Sequence, residues 1–322
     1  MADLYEFSAP LAATDRAAAR RRPAVDWPTV WVGAGLYAAY GLLTWFHHVL
    51  PWWLIPPFGG YLVALHGSLQ HEAVHGYPFR SRFWNTAFVF PSLWLWLPYL
   101  HYRHTHLLHH RNERLTVPGE DPESIYVSTD TNARMHPLHR AYRQAMTTVA
   151  GRLVLGPPYF AGRVWWEMAK RLHAGDWDYM RQWFIHIPAV AIVLLWVVAV
   201  CDIPLWQYVL LYAWPGVSLT VLRSYLEHQG RAEVGHRTVI IETGPIMSLM
   251  YLNNNLHALH HLEPAAPWHQ RPRRFRARQN EVFTWNGGYR YRGYGEIVVR
   301  HFLHPKEPLV HPLADLRSSP RP

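Results

Sequence analysis

The chain of 322 residues carries a single cysteine, Cys201. That excludes an internal disulfide and any zinc or iron–sulfur site built on thiolates. Charge is also scarce, with Asp, Glu, Lys and Arg making up 16% of the residues. Residues 1–26 mix Asp3, Glu6, Asp15 and Asp26 with arginines and hold no apolar run, so they do not read as a cleavable leader. No repeat of the solenoid kind occurs. No nucleic-acid motif accompanies the arginines, so nucleic acid is not an expected partner. The mean hydropathy of −0.14 looks soluble, but it averages apolar stretches with an arginine-rich remainder, and windows are the better guide.

Windows reveal long uncharged runs. Residues 27–46 have no charge over a length sufficient to cross a bilayer, and residues 55–70 run uncharged into His71. Residues 183–200 and 204–222 form a third and a fourth run, separated by a turn at Cys201–Ile203. Residues 83–100 are apolar but interrupted by Pro91 and Pro98. Residues 153–166 are shorter, interrupted by Pro157-Pro158, and carry Arg163. Of the 31 Lys and Arg residues, four lie in 1–26, two follow at Arg80 and Arg82, eleven fall in 101–182 and fourteen from Arg223 onward. None lies in the turns near 47–51 or 201–203, so the positive-inside rule turns those two outward and the rest to the cytosol. The net charge of +9 then reads as a membrane-surface signature.

Histidine is what the chain has in abundance. Three clusters stand out: His71-Glu-Ala-Val-His75, His106-Leu-Leu-His109-His110 and His257-Ala-Leu-His260-His261. Steps of three and four place imidazoles on one helical face, and neutral imidazole is the commonest protein metal ligand. A given H-x-x-H-H box is expected by chance only ~0.1 times in such a chain, and here there are two. His228, in Ser224-Tyr-Leu-Glu-His228 just past the fourth run, is a ninth candidate. Nine imidazoles suit two ions with four or five ligands each. The donor set alone admits Fe, Cu, Zn or Ni. Glu72, Glu120, Asp121, Glu123 and Glu227 adjoin these ligands and are placed to orient them, and one of Asn253, Asn254 and Asn255 has the same opportunity. His66, inside the second run, reads as a core residue. His104 is the reserve ligand. His47, His48, His136, His139, His173, His186, His236, His269, His301, His304 and His311 read as surface or interfacial residues. Asn286-Gly-Gly reads as a turn. The arginines at 271, 273, 274, 276 and 278 read as a strip for lipid headgroups or for an acidic carrier.

One site built from three boxes needs all three on one side of the membrane, hence an even number of crossings between any two. Residues 204–222 and 183–200 supply two crossings between the second and third boxes. Residues 83–100 must therefore lie in the interface or dip in and return. The expected fold is an all-α integral membrane protein of two transmembrane hairpins, four spans, with a cytosolic histidine-rich helical cap. It divides into a cytosolic segment 1–26, a domain 27–304 and a poorly ordered tail 305–322.

The order and placement of the three boxes resemble the membrane fatty acid desaturase family over residues 27–304. Asn253-Asn-Asn-Leu-His257 and Asn286-Gly-Gly-Tyr are similar to bacterial members, and Tyr225-Leu-Glu-His228 is similar to the ligand region of membrane alkane hydroxylases. The resemblance implies two non-haem iron ions, O₂ as co-substrate and a cis double bond made in an acyl chain. The ligands it implies are His71, His75, His106, His109, His110, His228, His257, His260 and His261. Ser224 departs from the pattern, because relatives often place Asn there. No His-Pro-Gly-Gly signature of a fused cytochrome b5 is present, so the resemblance implies a separate ferredoxin- or rubredoxin-type donor with its reductase. The expected location is a bacterial inner membrane. A hydroxylase, a ketolase or a terminal-alkene-forming decarboxylase is the alternative outcome, since each begins with hydrogen abstraction from an unactivated carbon.

Overall fold

The computed structural model describes residues 23–110 and 115–313. The described chain is mostly helical, as expected, with one two-stranded sheet. It divides into two compact units. Residues 23–104, 157–220 and 250–252 form the first, and the remaining described residues form the second.

The first unit is built on long apolar helices. Helix α1, Trp27–Trp45, begins with Pro28 in its first turn, where the missing N–H costs nothing. Helix α2, Ile55–Val74, follows a short 3₁₀ turn at Trp52–Leu54 and extends into the first histidine box. Short α3, Arg82–Phe88, is capped by the Ser81 side chain. Irregular chain then leads to α4, Tyr99–His109. Residues 83–100 thus contain no helix of crossing length, as the parity argument requires. Their irregular backbone is anchored instead: Trp94 Nε1 donates to the Val63 carbonyl at 3.0 Å, and Tyr208 Oη donates to the Leu93 carbonyl at 2.9 Å.

Helices α5, Thr129–Arg134, and α6, Pro137–Ala145, precede α7, Val149–His173. Helix α7 runs unbroken through Pro157-Pro158, where the sequence suggested an interruption. The fixed φ of proline suits a helix, but each ring removes one backbone hydrogen bond and crowds the carbonyl four residues before it. Beside them the Leu155 carbonyl accepts a 2.6 Å bond from Tyr142 Oη. Helix α8, Trp177–Leu194, continues as a π-helical stretch to Val200. After the Cys201–Pro204 turn, α9, Leu205–Tyr208, passes through a second π stretch into α10, Trp214–Glu227. Tyr179–Val200 and Leu205–Glu227 are each long and apolar enough to cross a membrane.

Close approach of α2 to the Leu205–Glu227 helix depends on absent side chains. A Cβ on Gly60 would lie 2.7 Å from Pro215 Cβ, and one on Gly216 would lie 2.4 Å from Val63 Cβ. Small residues are what let such helices pack backbone to backbone. Around this seam sit hydrogen-bonded aromatics. Tyr40 Oη meets Tyr208 Oη at 3.0 Å, and His47 bridges Tyr212 Oη and Gln207 Oε1. His47 and His186 are therefore buried, not superficial as their sequence context suggested. The outward surface is apolar: Trp31, Trp45, Phe58, Phe184, Ile187, Leu195 and Trp206 are all exposed.

The second unit buries a conventional core. Val149, Leu222, Tyr225, Leu226, Val239, Ile241, Tyr291 and Ile297 form one cluster; Ile240, Leu256, Leu259, Phe275 and Val282 belong to another. Strand β1, Ile240–Ile241, pairs in parallel with β2, Arg290–Tyr291. Its two side chains point to opposite faces, as in any strand, so consecutive isoleucines feed the two clusters. Helix α11, Pro245–Met250, leads to α12, His257–Leu262, which carries the third box; α13, Arg271–Trp285, and α14, Tyr294–His301, follow. Asn286-Gly-Gly is the turn after α13, with positive φ at both glycines.

Residues 305–313, expected to be poorly ordered, are instead packed into this unit. Leu309 is buried, Val310 bridges to Val127, and Lys306 Nζ donates to the His228 carbonyl at 2.7 Å. His311 is also buried and hydrogen-bonded to Thr116 Oγ1. The polar composition of this stretch hid specific partners that only the fold supplies. The rest of the tail, and the arginines of residues 1–22, lie outside the described residues.

Overpacking the glycine seam should be costly. Gly216→Val is expected to destabilise the solubilised protein by ~1–3 kcal/mol. Gly41→Ala, where a Cβ meets nothing within 4 Å, should leave the melting temperature nearly unchanged. Thermal unfolding of both variants checks this, and equal behaviour would discount the seam.

Candidate metal centre

Seven of the nine sequence-nominated histidines belong to the second unit, and their rings converge. Helix α4 presents His106 and His109 with His110 just after it. The chain beyond α10 supplies His228, and α12 supplies His257, His260 and His261. His109 Nε2 lies 3.0 Å from His228 Nε2, and His228 Nε2 lies 3.0 Å from His257 Nε2, itself 3.0 Å from His261 Nε2. Those four residues offer ligand atoms that all lie within 4.8 Å of one another. A second chain of contacts joins His106 Nε2 to His110 Nε2 at 3.1 Å and His110 Nε2 to His260 Nε2 at 3.0 Å. Two ligands at right angles about an ion with ~2.1 Å bonds stand ~3.0 Å apart, so this spacing is that of a coordination shell.

Four of the outward nitrogens have partners. His109 Nδ1 donates to Asp121 at 3.0 Å, and His106 Nδ1 donates to Glu123 at 3.0 Å. His228 Nδ1 donates to the Arg237 carbonyl at 3.3 Å. His257 Nδ1 faces Glu227 Oε1 at 3.4 Å, and the same oxygen accepts from Asn254 Nδ2 at 2.8 Å. A partner on Nδ1 fixes the tautomer and turns Nε2 inward, as in metal-ligating histidines generally. Of the acids nominated from sequence, Asp121, Glu123 and Glu227 fill that role, while Glu120 is exposed. Asn254 is the member of the asparagine run that reaches the cluster. Ser224 is half-buried, and nothing in the structure assigns it such a part.

The local electrostatics suit cation binding. Burial lowers the pKa of the His228 and His257 imidazoles well below the ordinary value, and each neighbouring imidazole lowers it further. These rings are therefore neutral, which is the ligating form. Burial also pulls on His109, but the Asp121 and Glu123 carboxylates outweigh it and hold that ring up at about 9. Negative charge behind the rings favours a positive ion, the neutral His228 and His257 offer it lone pairs, and His109 gives up a proton to join them.

His71 and His75 lie in the first unit, in the last turn of α2 and at its cap. Both are buried, with ring centroids 4.8 Å apart. His71 Nδ1 faces Glu72 Oε1 at 3.3 Å, and Glu72 is fully buried, so its carboxylate repeats the pattern of the second unit. His66 is a core residue whose ring meets the edge of Tyr37. His101 packs against Tyr179, and His104 is half-buried; neither belongs to a ligand group. The arginine strip is not uniform: Arg271 is fully buried, Arg274 and Arg278 are paired with Glu263, and Arg273 and Arg276 remain exposed.

Sequence patterning missed the segment that positions two of the clusters. Val239 N donates to the Glu227 carbonyl at 3.1 Å, Gln229 N to the Arg237 carbonyl at 3.0 Å and Ala258 N to the Val239 carbonyl at 2.9 Å. The stretch 237–241 thus ties His228 on one side to α12 on the other. Arg237, buried, also donates to the Leu115, Arg231 and Ala232 carbonyls. The β-branched run Thr238-Val-Ile-Ile241 is a strand signal that could have marked it.

Removing an outward partner should loosen the centre. Asp121→Asn keeps the size of the side chain but loses its charge, and is expected to weaken metal binding ~10–100-fold. Glu120→Gln should not. Competition against a chelator of known affinity distinguishes the two, and equal retention of metal would remove Asp121 from the centre.

No curated protein matches the chain. The model of the family described as fatty acid desaturase matches residues 48–292, well over half of the sequence. That span takes in the clusters of convergent imidazoles and the two helices long enough to cross a membrane, and on this match the chain belongs to the fatty acid desaturase family.

Proposed function

We propose that this protein introduces a double bond into a long acyl chain at two iron ions. His109, His228, His257 and His261 would hold one, and His106, His110 and His260 would contribute to the other; His71 and His75 are the further ligands expected from the sequence. The single observation that carries the reading is the set of inward Nε2 atoms spaced at 3.0–3.1 Å, with carboxylates or carbonyls on the outward nitrogens. An all-imidazole donor set without thiolate fits iron. Bound iron would supply redox chemistry with O₂. The balanced reaction takes R–CH₂–CH₂–R′, O₂, two electrons and two protons to R–CH=CH–R′ and two water molecules. Both electrons would come from a separate ferredoxin- or rubredoxin-type protein with its reductase.

The chain's own residues have definable tasks. The outward carboxylates would hold His106, His109 and His257 in the ligating tautomer, and the Arg237 carbonyl would do the same for His228. Burial of the cluster keeps bulk water away from it. The apolar, Trp-rich exterior of the first unit is suited to lipid, and a chain already dissolved in the bilayer is the substrate such an exterior can meet. Helices α1 and α2, of 19 and 20 residues, are ~30 Å long. Together with Tyr179–Val200 and Leu205–Glu227 they would make four spans, their hydropathy being diluted by Trp, Tyr, Gly and Pro. The positive-inside rule places the boxes on the cytosolic side, here of a bacterial inner membrane. The catalytic domain is residues 27–304, with 305–313 as a strap held by Lys306 and Leu309.

The test combines metal content with product analysis. Protein purified from an iron-replete host should hold two iron atoms per chain, and lipids of the host should gain chains lighter by two hydrogens. His260→Ala should abolish that product, whereas exposed His304→Ala should not. His311 cannot serve as the silent control because it is buried and bonded to Thr116. Active protein holding zinc without iron would sink the oxidative reading. A product that gains one oxygen or loses CO₂ would keep the site and replace desaturation by hydroxylation or decarboxylation.

A further inference from the structure

A cleft within the first unit combines a polar floor with an apolar rim. It is small, with ≈ 20 Å³ of space inside, room for a single hydroxyl or water, and it is not fully enclosed. Gln70, Ser92, Gln182 and His186 line it, and all four are buried. The apolar lining comes from half-buried Phe90, Leu100 and Ile185. Four buried polar side chains are costly inside a helical unit this apolar unless each finds a partner. His186 finds one, donating from Nε2 to the Leu95 carbonyl at 3.1 Å. Ser92 Oγ and Gln182 Oε1 have none in the protein.

The chemistry of those two atoms specifies what completes them. An amide oxygen only accepts, while a serine hydroxyl both donates and accepts. A hydrocarbon offers neither function. A ketone, ester or ether cannot donate to Gln182. An alcohol does both at once: its O–H donates to Gln182 Oε1 and its oxygen accepts from Ser92 Oγ. The rim then receives the methylenes next to the hydroxyl. Gln70 immediately precedes His71 on α2, so the polar floor adjoins the first histidine box in the chain.

We propose that this cleft binds the hydroxyl group of an aliphatic alcohol or hydroxyacyl chain, and that Ser92 and Gln182 select a hydroxylated chain over a plain hydrocarbon. That this chain is also the one oxidised rests on the function proposed above; the binding itself does not. The full chain in detergent micelles is titrated with dodecan-1-ol and, separately, with dodecane, with and without iron. The native protein should hold the alcohol about tenfold more tightly than Ser92→Ala or Gln182→Met does, the size of one lost hydrogen bond. Dodecane should bind all three alike, which also shows that the variants are folded, and iron should make no difference. Alcohol binding unchanged in both variants would overturn the proposal and leave the two side chains to water or to each other. Parallel loss of both probes in both variants would overturn it too. Selective alcohol binding by a protein that desaturates no chain would keep the cleft and sink the oxidative reading. Unselective binding by a protein that desaturates plain acyl chains would do the reverse.

Discussion

The second unit is organised around buried imidazoles whose Nε2 atoms stand 3.0–3.1 Å apart. So many heteroatoms at that spacing away from water would be unfavourable if each ring also had to satisfy its second nitrogen there. The solution is directional. Asp121, Glu123 and Glu227, with the Arg237 carbonyl, take the outward nitrogens of His109, His106, His257 and His228, and the inward ones are left for a cation. The same need explains why acids with few other reasons to be buried are found behind the rings. It also sets the backbone: α4, α10 and α12 must end within reach of one another, and residues 237–241 are the piece of chain that holds α10 and α12 together.

That piece shows how packing and chemistry share residues. Ile240 and Ile241 alternate into two hydrophobic clusters, while the backbone of the same segment bonds to Glu227, Gln229 and Ala258. The apolar burial supplies the stability, ~1.5–3 kcal/mol for each large side chain, and the hydrogen bonds convert it into position. Lys306 adds a tie from the C-terminal side through the His228 carbonyl. The ligand shell therefore has support from segments far from it in sequence, which a site held to a few tenths of an ångström needs.

The first unit follows a different rule. Its exterior is apolar, its interior carries hydrogen-bonded tyrosines, histidines and glutamines, and glycines on α2 and α10 bring backbones close. This is the distribution expected where the surrounding medium is hydrocarbon and polar groups must find one another. Helices α1 and α2, of 19 and 20 residues, belong to the same unit.

Local sequence alone determined the helices, the three boxes and the ninth histidine, because periodicity and residue type are properties of short stretches. It also argued against residues 83–100 as a simple span, since one site built from the first two boxes needs both on the same side of the membrane, and Pro91 and Pro98 disfavour a regular helix there. It could not determine which acids stand behind the rings: Glu120 and Asp121 are neighbours in the chain, yet only Asp121 reaches His109. Nor could it show that Arg237 and Lys306 hold His228 in place, or that residues 305–313 are packed, or that α7 runs through two prolines. Each of those outcomes is a contact between segments distant in sequence. A hydrogen bond of ~3 Å depends on the whole path of the chain between its partners, and that path exists only in the folded molecule.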